Sequence, residues 1–361
     1  MADSNSTAAP LDSAAAAKAA FEDVSERPFP TDVFTAPHLR WAVIGCGVIA
    51  NQMAQSLALA GRSLEGVANR HVGKARAFAE RYGVPRVYES FEELYADSDI
   101  DAVYITTPHN THITYLRGAL AAGKHVLCEK SITLNSAELN EARTLSHAHG
   151  VVLMDATTVL HMPLYQELLR RANAGELGPL NLVQLNFGSY KPYGDFTNRF
   201  YSPKLAGGAM LDIGVYALSL ARLFLASQPD EVVSLGNLAT TGVDEEGGIV
   251  MRNAEGQLAT VTMSLHSKLP KRAVLSFDRC YVEVMEYPRA DTATIVWTED
   301  GRREVVRAGT EGYALCYEMA DLERAVAGDA GARGLFDYAS DVMALMDRLR
   351  REWGVVYPEE R

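Results

Sequence analysis

The sequence predicts an α/β half built on a doubly wound parallel sheet, followed by an α+β half built on a large, mostly antiparallel open β-sheet. Three observations predict it. Short apolar runs alternate with stretches of helical length from Trp41 to Met154, the rhythm of parallel strands joined by crossover helices. A glycine-rich turn ends the first of those runs. Beyond Thr158 the pattern changes to period-two alternation in several short segments, the signature of half-buried antiparallel strands.

In chain order, residues 1–37 form a leader or arm rich in Ala, Ser, Asp and Pro. Ser13 to Phe21 suits a short helix, which Arg27-Pro28-Phe29-Pro30 breaks. This segment packs loosely on the body or reaches a neighbouring subunit. Residues 38–157 follow as the first domain. Trp41–Ile44, Leu64–Asn69, Ala102–Thr106, His125–Cys128 and Val151–Met154 read as strands, and continuous apolar runs of this kind belong to parallel strands covered on both faces. Val48–Leu59, Lys74–Tyr82, Thr111–Ala122 and Asn135–His149 read as helices.

Residues 158–361 make the second domain. Helices are expected at His161–Asn173, Gly207–Leu225, Tyr313–Ala327 and Phe336–Trp353. The last is a candidate to pack back on the first domain. In Ala259–Leu265 apolar residues alternate with Thr260, Thr262 and Ser264, and similar runs occur near Glu231–Leu238, Gly248–Asn253, Ala273–Phe277, Tyr281–Met285 and Ala293–Trp297.

The chain has 361 residues, 34 Lys and Arg against 46 Asp and Glu, and a formal charge of −12. Nucleic-acid backbone binding needs a basic face, so no nucleic-acid partner is expected. No uncharged apolar run reaches the ~18 residues of a membrane span, so no membrane partner is expected. Cys46, Cys128, Cys280 and Cys316 are dispersed and form no paired motif, which points to free thiols in a reducing, cytoplasmic compartment.

Gly45-Cys46-Gly47-Val48-Ile49-Ala50 follows the first strand and opens the first helix. This is the GxGxxA form of the Rossmann dinucleotide fingerprint. The first glycine permits a tight turn, the second lets a pyrophosphate approach the backbone, and the alanine lets helix and strand pack closely. Unpaired N–H groups at Val48 and Ile49 then face the phosphates. NAD enzymes usually carry Asp or Glu at the end of the second strand. Here the strand ends Val67-Ala68-Asn69-Arg70-His71, with Lys74 on the next helix. A guanidinium clamps a 2′-phosphate with two parallel hydrogen bonds, so NADP is favoured over NAD. In the alternative, Arg70 is a solvated charge and Asn69 bonds the ribose hydroxyls of NAD.

Ligands of open parallel sheets bind beyond the carboxyl ends of the strands. Two such ends are polar: Thr106-Thr107-Pro108-His109-Asn110-Thr111-His112 and Cys128-Glu129-Lys130-Ser131. Lys130 should point at the nicotinamide region, where an ammonium in a partly desolvated pocket lowers the pKa of a neighbouring hydroxyl. A third segment, Gly207-Gly208-Ala209-Met210-Leu211-Asp212-Ile213-Gly214-Val215-Tyr216, sets Asp212 and Tyr216 four apart on one helix face. They are either a site or a helix-start acid beside a core aromatic. His109 and His112 stand three apart with no third clustered ligand, so no metal is expected.

These segments, taken in order with Ala121-Ala122-Gly123-Lys124-His125-Val126-Leu127-Cys128-Glu129-Lys130, resemble the Gfo/Idh/MocA family of glucose–fructose oxidoreductase and inositol dehydrogenase. Within it the chain is most similar to the dimeric trans-dihydrodiol dehydrogenase / D-xylose dehydrogenase branch. Cys316-Tyr317-Glu318 and Gly354-Val355-Val356-Tyr357-Pro358 fit that branch too.

The resemblance implies NAD(P)-dependent hydride transfer on a CH–OH carbon of a sugar, polyol or cyclic diol. It implies Lys130 as a catalytic lysine, Tyr216 as general acid/base, Asp212 as an orienting carboxylate, Glu129 near the cofactor, and a homodimer through the open face of the second sheet. Ser131 stands where the family usually has proline, and Asp155–Pro163 lacks the tryptophan and arginine typical of the branch. His161 is a new pocket residue or a satisfied helix-start histidine. Tyr190, Lys191, Tyr193, Asp195 and Arg199 either line the substrate mouth or form a solvated loop. Two rival functions remain: a redox-neutral enzyme with retained NAD(H), of epimerase, eliminase or glycosidase type, and a non-catalytic NADP-binding regulator.

Overall fold

A computed structural model describes residues 33–196 and 198–361. The expected helix and break within residues 13–30 lie outside them. The first half runs β1 (Trp41–Ile44), α1 (Val48–Leu59), β2 (Gly66–Ala68), α2 (Val72–Tyr82), β3 (Arg86–Tyr88), α3 (Phe91–Ala96), β4 (Ala102–Ile105), α4 (His112–Ala121), β5 (His125–Glu129), α5 (Ser136–Ala148) and β6 (Leu153–Ala156). Its six strands lie in the order β3-β2-β1-β4-β5-β6, all parallel. β1 and β4 are buried at every residue, which is why they read as unbroken apolar runs rather than alternating ones. The order reverses beside β1, so β1 and β4 diverge into the crevice where such sheets bind ligands. Two helices of this half start on side-chain caps: Ser90 accepts from Glu93 N at the start of α3, and Asn135 from Glu138 N at the start of α5.

The second half opens with α6 (Pro163–Asn173) and β7 (Leu180–Gly188). A helical segment then ends in α7 (Val215–Phe224). The sheet continues through β8 (Glu231–Leu238), β9 (Asp244–Arg252), β10 (Leu258–Ser264), β11 (Arg272–Phe277), β12 (Cys280–Met285), β13 (Thr292–Trp297) and β14 (Arg303–Arg307), and the chain closes with α8 (Ala314–Val326) and α9 (Ala330–Trp353). Its eight strands follow the order β14-β13-β12-β11-β7-β10-β9-β8. Every neighbour is antiparallel except β7 with β10. In β10, Ala259, Val261 and Met263 are buried, as their alternation predicts.

Six elements depart from the sequence reading. β7, at the centre of this sheet, was not anticipated, nor were β3, α3 and β14. Val183, Leu185 and Phe187 of β7 do alternate inward, but Asn181, Gln184 and Asn186 keep the segment too polar to stand out. Gly207–Leu225 is not one α-helix. Met210–Gly214 forms a wider π turn before α7 begins. Gly208 precedes it at φ +124°, and the Asp244 carboxylate accepts from Met210 N at 2.5 Å. Pro203–Phe224 is long and apolar enough to cross a membrane, yet most of it is buried inside the protein; it is a core helix. α9 begins six residues before the expected Phe336 because Asp329 caps it, accepting from Ala332 N. The thiols of Cys46, Cys128, Cys280 and Cys316 are all free.

The last helices join the two halves. Glu323 of α8, wholly buried, accepts from Leu39 N and Trp41 Nε1, each at 3.1 Å, and is clamped by Arg62 at 2.7 and 3.0 Å. Asp347 of α9 accepts from Ser136 N at 2.7 Å, and Arg350 donates to Leu134 O at 2.6 Å. Glu323→Ala leaves the Arg62 guanidinium and the Trp41 indole facing a buried gap, and breaking a buried ion pair costs about 3–5 kcal/mol. Its urea midpoint is expected to fall accordingly; an unchanged midpoint removes Glu323 as the link between β1 and α8.

Candidate active site

The turn after β1 is built for close approach. Gly45 sits at φ +104°, and a Cβ there would lie 2.7 Å from Thr106 Oγ1. Gly45 N donates to Ala68 O, and Thr106 N and Oγ1 both donate to Ile44 O. Gly47 and Val48 are exposed and Ala50 is buried. α1 starts at Val48 with no side-chain cap and no acidic residue in its first turn. Its leading N–H groups and positive dipole end therefore face outward, at Gly47, Val48 and Ile49, and suit a phosphate. At the end of β2, Asn69 Nδ2 donates to His71 O. Arg70 and Lys74 are exposed, and neither pairs with a carboxylate among the described residues. A dinucleotide phosphate fits this donor set.

Thr107 and Pro108 line the exit of β4, with Thr107 Oγ1 accepting from Thr111 Oγ1 at 2.9 Å. The two histidines that follow are walls rather than free ligands. His112 is fully buried, with Nδ1 3.0 Å from Ser131 O and Nε2 2.7 Å from Thr107 O. It ties the exits of β4 and β5 together, and burial pulls its pKa below the ordinary value. His109 lies 3.4 Å from Ala206 O. Burial, then the Lys130 charge, takes it to about 3, so it is neutral.

β5 delivers Glu129 and Lys130. Glu129 is buried and accepts from Tyr104 Oη; burial raises its carboxyl above the usual range. Lys130 Nζ donates to Asp212 O at 2.7 Å and to Asp212 Oδ1 at 3.2 Å, and stands 5.1 Å from the centroid of the Tyr216 ring. The next residue, Ser131, donates its hydroxyl to Leu211 O at 3.0 Å. A strand end of the first sheet is thus bonded to the π turn of the second half at two successive residues. The serine that stands in place of the family's proline adds one of those bonds.

The three groups that the sequence singles out for chemistry meet here. Asp212 is buried, which raises its carboxyl, but Lys130, Arg199, His109 and Lys191 outweigh burial and hold it well below the usual carboxylate range. Burial lowers the Lys130 ammonium, and Asp212 and Tyr216 lift it back above its ordinary value. Tyr216 is half-buried against Phe187, ring centroids 5.9 Å apart. The expectation that Lys130 lowers the phenol's pKa needs correction in its net sign. Lys130 and Arg289 do pull it down, but burial is larger and leaves it above its ordinary value. The one-face argument for Asp212 and Tyr216 also changes, because the π turn spaces residues differently from an α-helix; Lys130 reaches both.

Sequence reasoning missed Arg289, which reaches this site electrostatically from a short turn after β12 and bonds Gln52 of α1 at 3.2 Å. No local pattern marks it. His161 is a satisfied core histidine: Nδ1 is 2.7 Å from Asp321 and Nε2 is 2.8 Å from Asp155 O. Arg199 does reach the pocket, with Nη2 3.4 Å from Asp212 Oδ1.

Comparison with known proteins agrees with this fold. Residues 39–157 match the family model for the oxidoreductase family with an NAD-binding Rossmann fold, and residues 165–285 match the GFO/IDH/MocA C-terminal domain. Trans-1,2-dihydrobenzene-1,2-diol dehydrogenase of Sus scrofa is 29% identical over 338 residues, spanning 90% of this chain and 99% of the relative. The Mus musculus protein of the same name is 33% identical over 245 residues, 66% of this chain and 72% of the relative. Among solved structures, a 3-ketoreductase from Actinomadura kijaniata, crystallised with NADP and TDP-benzene, superposes with a TM-score of 0.76 at 25% identity, covering 87% of this chain and 98% of that one.

Proposed function

The chain belongs to the GFO/IDH/MocA oxidoreductase family, and we propose that it moves hydride between NADP and a secondary alcohol or carbonyl carbon of a sugar, polyol or cyclic diol, with Tyr216 as general acid/base. The observation that carries this reading is the convergence of Lys130, Asp212 and Tyr216 at the carboxyl edge of the parallel sheet. We take residues 38–157 as the nucleotide-binding unit, residues 158–361 as the substrate and dimerisation unit, and the cytoplasm as the compartment.

The residues present suit the cofactor. Backbone groups of Gly45, Gly47, Val48 and Ile49 would hold the pyrophosphate. Arg70 and Lys74 would hold the 2′-phosphate, and Asn69 the ribose. Thr107, Pro108 and Glu129 would serve the nicotinamide end, with His109 and His112 keeping that wall in position. When bound, the nicotinamide supplies the hydride acceptor or donor.

The chain's own part is orientation and proton transfer. Asp212 and Lys130 orient the reacting oxygen. In oxidation Tyr216 Oη takes the hydroxyl proton; in reduction it returns a proton to the carbonyl oxygen. Positioned proton transfer of this kind contributes about 10²–10⁴-fold, and alignment supplies much of the rest.

A second copy of this chain is the proposed partner, docked on the outer face of the second sheet. Val233 of β8 pairs with Val250 of β9 on that face, and Leu235, Leu258, Tyr281, Met285 and Val305 are also exposed. An apolar surface of this breadth marks an interface.

Five outcomes test the reading. Tyr216→Phe should lose about 10²–10⁴-fold in kcat while binding NADPH as tightly as the parent; turnover within tenfold of the parent rejects the role. Because oxidation needs the phenolate and the phenol's pKa lies above its ordinary value, kcat/KM for alcohol oxidation should rise with pH into the alkaline range. Lys130→Met should move that rise further alkaline. Arg70→Ala should cut the NADP-over-NAD preference in kcat/KM by roughly 10- to 100-fold, the equivalent of one or two charged hydrogen bonds; an unchanged ratio returns Arg70 to the solvent. Leu235→Glu should convert a dimer to a monomer in sedimentation equilibrium, and a parent that is already monomeric removes the proposed interface. Net NADPH formation on a polyol separates this chemistry from a redox-neutral reaction.

A further inference from the structure

The mouth of the site carries more positive charge than the reaction uses. Asp212 is the carboxylate at its centre, and a single oxygen of it, Oδ1, faces both Lys130 Nζ at 3.2 Å and Arg199 Nη2 at 3.4 Å. A third cation, Lys191, stands beside them. Its Nζ lies 4.2 Å from the centroid of the Phe200 ring, and the Arg199 guanidinium lies 4.2 Å from the same ring. Among the described residues Lys191 Nζ meets no carboxylate. Burial lowers its pKa; Asp212 opposes this, while Arg199, Lys130 and Lys271 add to the lowering. Two cations thus share one carboxylate oxygen and a third stands beside them, in a chain whose net charge is −12. The other nearby acid, Glu129, is buried, bonded by Tyr104 and shifted toward its neutral form.

An uncompensated cluster of like charges in a partly desolvated pocket is unfavourable by itself and focuses the field on an incoming anion. The cluster is distinct from the phosphate-binding turn. Gly45–Ile49 lies at the exit of β1, whereas Lys191 and Arg199 come from the connection between β7 and the π turn, and Arg199 packs on the Asp212 side chain itself. Their field therefore falls on the substrate side.

We propose that the substrate is an anionic sugar, a sugar acid or a sugar phosphate, whose carboxylate or phosphate is held by Lys191 and Arg199 while its reacting hydroxyl lies at Tyr216. This rests on the oxidoreductase reading above and narrows it, since a neutral dihydrodiol leaves Lys191 without an anionic partner and Arg199 with only the Asp212 oxygen that Lys130 also takes. The Phe200 ring holds the two cations at one spacing, and a guanidinium with an ammonium suits either a planar carboxylate or a phosphate.

The test uses the full chain loaded with NADPH and a panel of glucose, galactose and mannose, each beside its 6-carboxylate and its 6-phosphate. Binding is followed by NADPH fluorescence, and turnover separately with NADP+. At least one anionic member should bind about 30-fold more tightly than its neutral parent, as expected for one or two charged hydrogen bonds, and the preference should shrink at high salt. Lys191→Met and Arg199→Met should bring the anionic-to-neutral ratio to within about threefold, while Lys191→Arg should keep it. Comparing the carboxylate and phosphate arms identifies the source of the charge.

Anionic and neutral members binding alike, no member binding, or a preference that survives in Lys191→Met each overturn the inference. A fall in NADPH affinity that matches the lost preference assigns the cations to the cofactor and also overturns it. Turnover of neutral sugars without anion preference leaves the oxidoreductase reading standing and this one fallen. Anion binding that depends on Lys191, with no turnover of any member, does the reverse.

Discussion

The bond from Lys130 to Asp212 is the constraint on which the rest of the site depends. It crosses from the carboxyl end of β5 to the π turn ahead of α7, and it takes two opposite charges largely out of water to do so. Burying a charge pair is worthwhile only with good geometry and further hydrogen bonds. Both are present: Nζ takes the backbone carbonyl of Asp212 as well as its carboxylate, and Ser131 bonds Leu211 O one residue further on. With the ammonium fixed, the Tyr216 ring lies under it and Arg199 meets the same carboxylate oxygen. Remove the ammonium, and burial would drive Asp212 toward its neutral form and free the π turn from the sheet. One contact therefore ties the two halves together at the site and sets the charge state there.

The phenol's position in this field sets its working state. Burial wins over Lys130 and Arg289, so the resting phenol holds its proton. A protonated Tyr216 is ready to serve carbonyl reduction, while alcohol oxidation must first remove that proton. Lys130 narrows the gap between the two directions without closing it. The ammonium cannot act as the proton donor itself, because two acceptors on Asp212 and the pull of that carboxylate keep its pKa high.

Much of this was legible in the sequence because it is encoded locally. Gly45-Cys46-Gly47 needs only its flanking strand and helix to be read, and the first glycine does occupy a backbone region closed to most side chains. Arg70 at the end of β2 is visible by counting from that turn. Lys130 and Tyr216 were found through motifs, though their meeting is tertiary. What stayed hidden depends on distant partners. The π turn arises where Asp244, thirty-four residues on, takes Met210 N. β7 gains its central position by pairing with β10 and β11 on either side, which its half-polar sequence does not announce. Glu323 looks like one more surface acid of an amphipathic helix until Trp41 and Arg62 are seen to enclose it.

The acids behind the site have an electrostatic consequence of their own. Glu129 and Glu318 are both buried, and each is pushed upward by burial, Glu318 further by the presence of Glu129. Glu318 has no hydrogen-bond partner for either oxygen among the described residues, an arrangement that a charged carboxylate tolerates poorly. Two such groups close together resist ionising at the same time. Burial works against the charged form of both, and the pull of Glu129 on the Lys130 ammonium is smaller than that of Asp212. A fully ionised pair there would compete with Asp212 for the ammonium and raise the phenol's pKa further. Glu129 can therefore lie one residue from the catalytic candidate Lys130 because the surrounding core works against its charged form.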